Sequence, residues 1–172
     1  MREYERAFVA VPLAGEFVLA TRDRLVDPIL DTVEFRELLI KDSYLPCLDS
    51  MEPLRLRRIE QQGKDTLYEF SVKTGVKPDR EEIRWVPKRA LVFGGLDIYK
   101  TRGEWDVGEC VQHIDRVALP CDGGTVETFG YIMEIEGPRA AVNAFVPPEG
   151  WLEVTTDPRY GAYTLASKGW PT

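Results

Sequence analysis

The sequence predicts an α+β fold dominated by antiparallel β-structure. Three observations carry this: short stretches in which apolar and polar residues alternate with period two, Gly and Pro scattered between them as punctuation, and few segments of helical periodicity. At 172 residues, 44% hydrophobic and 30% charged, the chain can close one core but is too short for two ordinary domains. A single domain without internal repeats or low-complexity segments is expected.

The first strand is expected over Glu3–Ala10, where Glu3 and Glu5 oppose Tyr4 and Phe8 and Arg6 interrupts the apolar face. A helix is placed over Asp23–Thr32, with the pre-proline Asp27 a weak point inside it. A strand over Glu37–Leu45 follows. Leu54–Gln61 comes next, with Leu54 and Leu56 opposing Arg55 and Arg57. The polar Gly63-Lys64 turn links it to Thr66–Thr74, where Tyr68, Phe70 and Val72 make one face and Glu69, Ser71 and Lys73 the other. Glu81–Val86 reads as a strand, Lys88–Phe93 as a short helix and Gly94-Gly95 as its stop. Strands over Asp97–Gly103 and Glu109–Ala118 precede Phe129–Gly137, which sets Tyr131, Met133 and Ile135 against Ile132, Glu134 and Glu136. A helix over Pro138–Phe145 and a strand over Leu152–Thr155 complete the series.

Two readings fit faces of this kind. In one, each charged face looks at water from a sheet packed on one side. In the other, the sheet closes so that the charged faces line a lumen, leaving the apolar faces outward under the helices.

Several function classes are excluded or disfavoured. The 22 Lys plus Arg against 29 Asp plus Glu give a net charge of -7, the wrong sign for a duplex nucleic-acid binder. His113 is the single histidine, and Cys47, Cys110 and Cys121 contain no CxxC pair, so multi-histidine zinc sites and disulfide scaffolds are not expected. The apolar stretch Phe8–Ala20 contains Pro12 and Glu16, unlike a signal peptide or membrane span. No membrane partner is expected, and a reduced cytoplasmic location is the default. A phosphate-binding GxxxxGK[ST] is absent. The cysteines and most of Trp85, Trp105, Trp151 and Trp170 read as structural, and His113 reads as a hydrogen-bonded structural residue sharing a face with Asp115.

The charged faces themselves suggest a chemistry. Arg55, Arg57, Lys73, Lys100 and Arg102 suit a polyanion, since guanidinium groups bind phosphate oxygens bidentately and ammonium groups add point charge. Glu3 with Glu5, and Glu134 with Glu136, are carboxylate pairs at i and i+2 that offer hard oxygen ligands to Mg2+ or Mn2+. A cation beside a basic cradle is most of what phosphoryl transfer requires.

In this order the motifs resemble the CYTH superfamily, the triphosphate tunnel metalloenzymes. Glu3-Tyr4-Glu5-Arg6 resembles its opening ExE strand and Lys41-Asp42-Ser43-Tyr44-Leu45 its second strand. Leu54-Arg55-Leu56-Arg57-Arg58 is similar to the RxR strand, Glu69-Phe70-Ser71-Val72-Lys73 to a strand ending in T-x-K, and Arg80-Glu81-Glu82-Ile83 to the REE strand. Tyr99-Lys100-Thr101-Arg102 resembles the KxR strand, and His113-Ile114-Asp115 the strand bearing a lumen Asp. Tyr131 to Glu136 resembles the second ExE strand, and Trp151 to Tyr160 the closing EVT-D-x-x-Y segment.

The resemblance implies an eight-stranded closed antiparallel β-barrel, a tunnel that binds a triphosphate-bearing small molecule with Mg2+ or Mn2+. It places Glu3, Glu5, Glu134 and Glu136 on the metal, and Arg55, Arg57, Lys73, Lys100 and Arg102 on the phosphates. Asp115 and Glu82 complete the lumen and are the candidates for orienting water. The expected activity is metal-dependent hydrolysis of inorganic triphosphate or of an organic one such as a nucleoside or thiamine triphosphate. A class IV type adenylate cyclase and a non-catalytic triphosphate-binding module are the alternatives. Two positions depart from the family pattern: Ala7 replaces the Lys of ExExK, and Arg84 stands where another Glu is common.

Overall fold

A computed structural model describes residues 2–45, 53–76, 78–87 and 95–172, with the backbone alone described at Arg2, Glu3, Gly75, Val76, Asp79 and Arg80. Cys47, Gly94 and the helix expected over Lys88–Phe93 lie outside the described residues.

Alternating sequence becomes strand at every expected place. The strands are β1 (Arg2–Ala10), β2 (Arg36–Tyr44), β3 (Arg55–Glu60), β4 (Leu67–Val76), β5 (Asp79–Trp85), β6 (Leu96–Val107), β7 (Cys110–Pro120), β8 (Val126–Glu136) and β9 (Trp151–Glu153). They form one antiparallel sheet in the order β5-β4-β3-β2-β6-β7-β8-β1-β9. The fold is thus α+β and mostly antiparallel, with nine strands where the resemblance implies eight; the added one is the short β9.

β1 is shared among three neighbours. Its first residues pair with β5 (Arg2↔Glu81, Glu3↔Arg80, Tyr4↔Asp79), its middle with β8 from Glu5↔Glu136 to Val9↔Ile132, and its end with β9. Tight turns hold the hairpins in register. Gly63, between β3 and β4, has φ +74°, and Gly108, between β6 and β7, has φ +58°, a region that glycine enters without Cβ strain.

The helices are short. The run expected over Asp23–Thr32 begins earlier, as α1 (Val18–Thr21), a π-helical segment (Arg22–Val26) and α2 (Asp27–Leu30). Pro28 cannot donate to the carbonyl of Arg24 and its ring crowds it, so the widened turn falls where the proline would otherwise break the helix. α3 (Arg139–Ala144) lies within the expected Pro138–Phe145 segment. A 3-10 turn at Pro158–Tyr160 leads into α4 (Ala162–Lys168), a helix the sequence reading did not anticipate.

The outward face of β1, β7 and β8 is the main core. Phe8, Ile114, Tyr131, Met133 and Ile135 are buried there against Leu25 and Val26 of the π segment and Val142 of α3. Full burial of one such side chain contributes roughly 1.5–3 kcal/mol. A second apolar cluster joins Tyr44, Ile98, Val117 and Ile132 to Leu165 of α4, with Tyr44 and Tyr163 edge to face at 5.7 Å. Arg6, one residue out of phase with Glu5, points away from the charged face: it makes a bidentate pair with Glu153 (2.9 and 2.7 Å) and donates to the carbonyls of Val142 and Phe145. It therefore does not replace the cation missing at Ala7, which packs with Val9 and Val154.

Candidate functional site

Strand parity directs the charged side chains into one cavity of about 480 Å³. Its walls include Arg55 and Arg57 of β3, Lys73 of β4, Lys100 and Arg102 of β6, Asp115 of β7 and Glu134 and Glu136 of β8, with α4 against it. Within this lumen the charges form three groups.

The first group lies on β2, β3, β6 and β7. Arg57 grips Asp42 bidentately, with Nε to Oδ1 at 2.7 Å and Nη2 to Oδ2 at 2.8 Å, and the two are register partners. Arg102 holds its own register partner Asp115 in the same way, at 2.7 and 2.9 Å. The Lys100 ammonium sits between the two carboxylates, 3.2 Å from Asp115 and 4.0 Å from Asp42. Burial works to raise both carboxyls, but Arg57 at Asp42 and Arg102 at Asp115, each helped by Lys100, outweigh it and hold both well below the usual carboxylate range. Burial likewise raises the Tyr44 phenol, keeping it neutral beside Arg55.

The second group lies on β3, β4 and β5. Glu82, 2% exposed, takes Arg55 Nη2 at 2.7 Å and Arg84 Nη2 at 2.5 Å, with Lys73 Nζ at 3.5 Å. Glu69 lies 3.5 Å from Arg55 Nη2 and 3.9 Å from Arg84 Nε. Arg84 therefore engages Glu82 and Glu69, while Ala7 sits in its own apolar cluster.

The third group is acidic. Glu5, Glu134 and Glu136 each bring a carboxylate oxygen within 4.8 Å of the others, as the pairing Glu5↔Glu136 and Ala7↔Glu134 requires. Glu3 is on the same strand, two residues before Glu5, and its side chain lies outside the described residues. His113 Nε2 is 2.9 Å from Glu134 Oε2. His113, Asp115 and Glu134 also converge within 4.8 Å. His113 is hydrogen-bonded, as expected, and its partner is Glu134 of the acidic group. Lys73, 4.0 Å from Glu5, links the second group to the third.

All of the site residues named from the sequence whose side chains are described therefore face this lumen or lie directly behind its wall. Asp42, Glu69 and Arg84 also belong to it. Asp42 shares its face with Ile40 and Tyr44, so no charge alternation marks it, although it lies inside the Lys41-Asp42-Ser43-Tyr44-Leu45 segment.

Chemically the lumen is a set of cations fixed in advance by buried carboxylates, beside a cluster of hard oxygen donors. Breaking one of these pairs leaves an uncompensated buried charge, so the cations keep their geometry before any ligand arrives.

No protein-family model and no curated protein matches this sequence. Among solved structures, the crystal structure of the hypothetical protein NE1496 is similar, with 21% sequence identity, coverage of 95% of this chain and 97% of that one, and a TM-score of 0.49. Among the described residues no helix is long and apolar enough to cross a membrane.

Proposed function

We propose that this chain is a CYTH-like triphosphate tunnel protein that hydrolyses inorganic triphosphate, or a related organic triphosphate, with a divalent metal ion. The observation that carries the reading is the shared cavity: Arg55, Arg57, Lys73, Lys100 and Arg102 surround the same space as Glu134 and Glu136. The β5–β1 ladder supports treating the sheet as closed around that space, since it joins the first strand of the sheet order to the last but one.

Glu5, Glu134 and Glu136 would hold the ion, with Glu3 beside them on β1. Their donor set fits, because three carboxylate oxygens within 4.8 Å are hard ligands of the kind that Mg2+ and Mn2+ prefer. A bound ion would supply charge neutralisation at the phosphoryl group. The protein's own residues do the rest. Arg55, Arg57, Lys73, Lys100 and Arg102 bind the phosphate oxygens and align the chain, so that water attacks a terminal phosphorus in line while its bond to the bridging oxygen breaks, releasing orthophosphate and the remaining diphosphate. Asp115 and Glu82 were the candidates for orienting that water. Their oxygens are engaged by Arg102 and Lys100, and by Arg55, Arg84 and Lys73, which favours a positioning role: they aim the cations.

A binding module without turnover is the second reading, favoured by Ala7, which leaves an apolar contact where the family pattern has a lysine. Release of orthophosphate from inorganic triphosphate and from ATP, with Mg2+ or Mn2+, tests both. Metal-dependent turnover that falls at least a hundredfold in Glu134→Ala is expected. Triphosphate-dependent thermal stabilisation without product sinks the hydrolase and leaves the binder. Cyclic nucleotide with pyrophosphate from ATP would instead identify a cyclase.

A further inference from the structure

The outer face of the sheet carries a second cavity, on the opposite side of the strands from the lumen. On that face of β6, Gly103 is covered by Leu30 and Phe35, which a Cβ there would meet at 3.1 and 3.2 Å. Thr101 and Tyr99 continue the face with period two, and there a groove of about 330 Å³ opens that no helix lines among the described residues. Leu39, Tyr99, Ala118 and Val126 give it an apolar lining, and Leu39 and Val126 are each 49% exposed. Small-molecule sites occupy roughly 300–1,000 Å³.

Cations also line this groove, and all but one already have an anionic partner. Lys41 pairs with Asp97 at 2.9 Å and lies over the Tyr99 ring, Arg58 pairs with Glu60, and Lys100 belongs with Asp115 of the lumen. Arg116 differs. Its Nη2 donates to the hydroxyl of Thr101, its register partner, at 3.0 Å, and it makes no ion pair among the described residues. That contact holds one arm of the guanidinium fork and leaves its other N–H groups for an incoming acceptor. A neutral apolar molecule would use the lining and not the guanidinium. Inorganic phosphate would use the guanidinium and not the lining. A molecule with an apolar body and one anionic head uses both, and the charge match selects it over a neutral analogue.

We propose that this groove binds a small organic anion, with its aromatic or aliphatic body against Leu39, Tyr99, Ala118 and Val126 and its carboxylate or sulfonate on Arg116. The site is separate from the lumen and does not depend on what the lumen binds.

The test uses 1-anilinonaphthalene-8-sulfonate, an aromatic sulfonate whose emission rises and shifts to the blue in apolar surroundings. It is titrated against wild type, Arg116→Gln and Ala118→Trp, the last filling the groove, beside the neutral N-phenyl-1-naphthylamine. Sedimentation reports the size of each protein. Arg116→Gln is expected to weaken the sulfonate about five- to tenfold and to leave the neutral compound unchanged. Arg116 is exposed, so the melting temperature of that variant should stay within about 2 °C of wild type, which keeps the test valid if Ala118→Trp fails to fold. A folded Ala118→Trp should weaken both compounds at least tenfold. No enhanced emission with wild type, or equal sulfonate affinity in wild type and Arg116→Gln, overturns the site. A wild-type dimer that Ala118→Trp disperses, with no sulfonate bound by the dimer, would put a second copy in the groove and overturn it as well.

Discussion

Asp42 is completely buried and accepts two hydrogen bonds from Arg57, with Lys100 4.0 Å away. Asp115 repeats the arrangement with Arg102. Both carboxyls are depressed in the folded chain, so the unfolded chain takes up protons first as the pH falls. Their contribution to stability is complete above the unfolded carboxylate value of about 3.9 and is lost progressively below it, through the lower folded values. Urea midpoints measured from pH 7 to pH 2 should therefore hold level down to about pH 5 and then drop. Asp42→Asn should lower stability at pH 7 by about 3–5 kcal/mol, because Arg57 is left buried without its counter-charge. A flat acid profile, or a neutral Asp42→Asn, contradicts the coupling. At this scale the sequence was informative where charge alternated with apolar residues, as at Arg55 and Arg57 or Glu134 and Glu136. It was silent where a charge shared its face with apolar neighbours, as Asp42 does between Ile40 and Tyr44.

Among the elements, α4 is the one the sequence concealed. Leu165 is its single deeply buried residue, so the seven-residue helix carries no apolar stripe to reveal it. What anchors the tail is tertiary: Tyr163 against Tyr44, Tyr160 against Trp170, and the Trp170 indole lying over Gly130 of β8. A Cβ at Gly130 would collide with that ring. Gly130→Ala is expected to displace Trp170, red-shift its fluorescence and cost about 1–3 kcal/mol. Retention of wild-type emission and melting temperature would show that the tail is not held through this contact. The strands, in contrast, were legible because apolar and polar residues alternate along them, most clearly where Tyr68, Phe70 and Val72 oppose Glu69, Ser71 and Lys73. The early start of the first helical run was hidden because Val18–Thr21 has no side-chain cap and no acidic first turn.

For the whole molecule, the decisive relation is the one that no local pattern writes. Residues 2–4 pair with residues 79–81, so β1 and β5 meet across most of half the chain. Periodicity could say which side chains share a face but not that the faces look at one another. Once they do, the electrostatics gains a layout: two groups in which buried carboxylates hold arginine and lysine side chains, and an acidic group built on Glu5, Glu134 and Glu136 with His113 beside it. On the proposed reading, a polyanion and a divalent cation would lie side by side in it. The most direct test is a crystal structure of the protein soaked with inorganic triphosphate and Mn2+, with diffraction recorded at the manganese absorption edge. An anomalous peak is expected among Glu5, Glu134 and Glu136, with a phosphate chain running from there towards Arg57 and Arg102. Manganese or triphosphate bound only on the outer face of the sheet, with the lumen side chains unchanged, would contradict it.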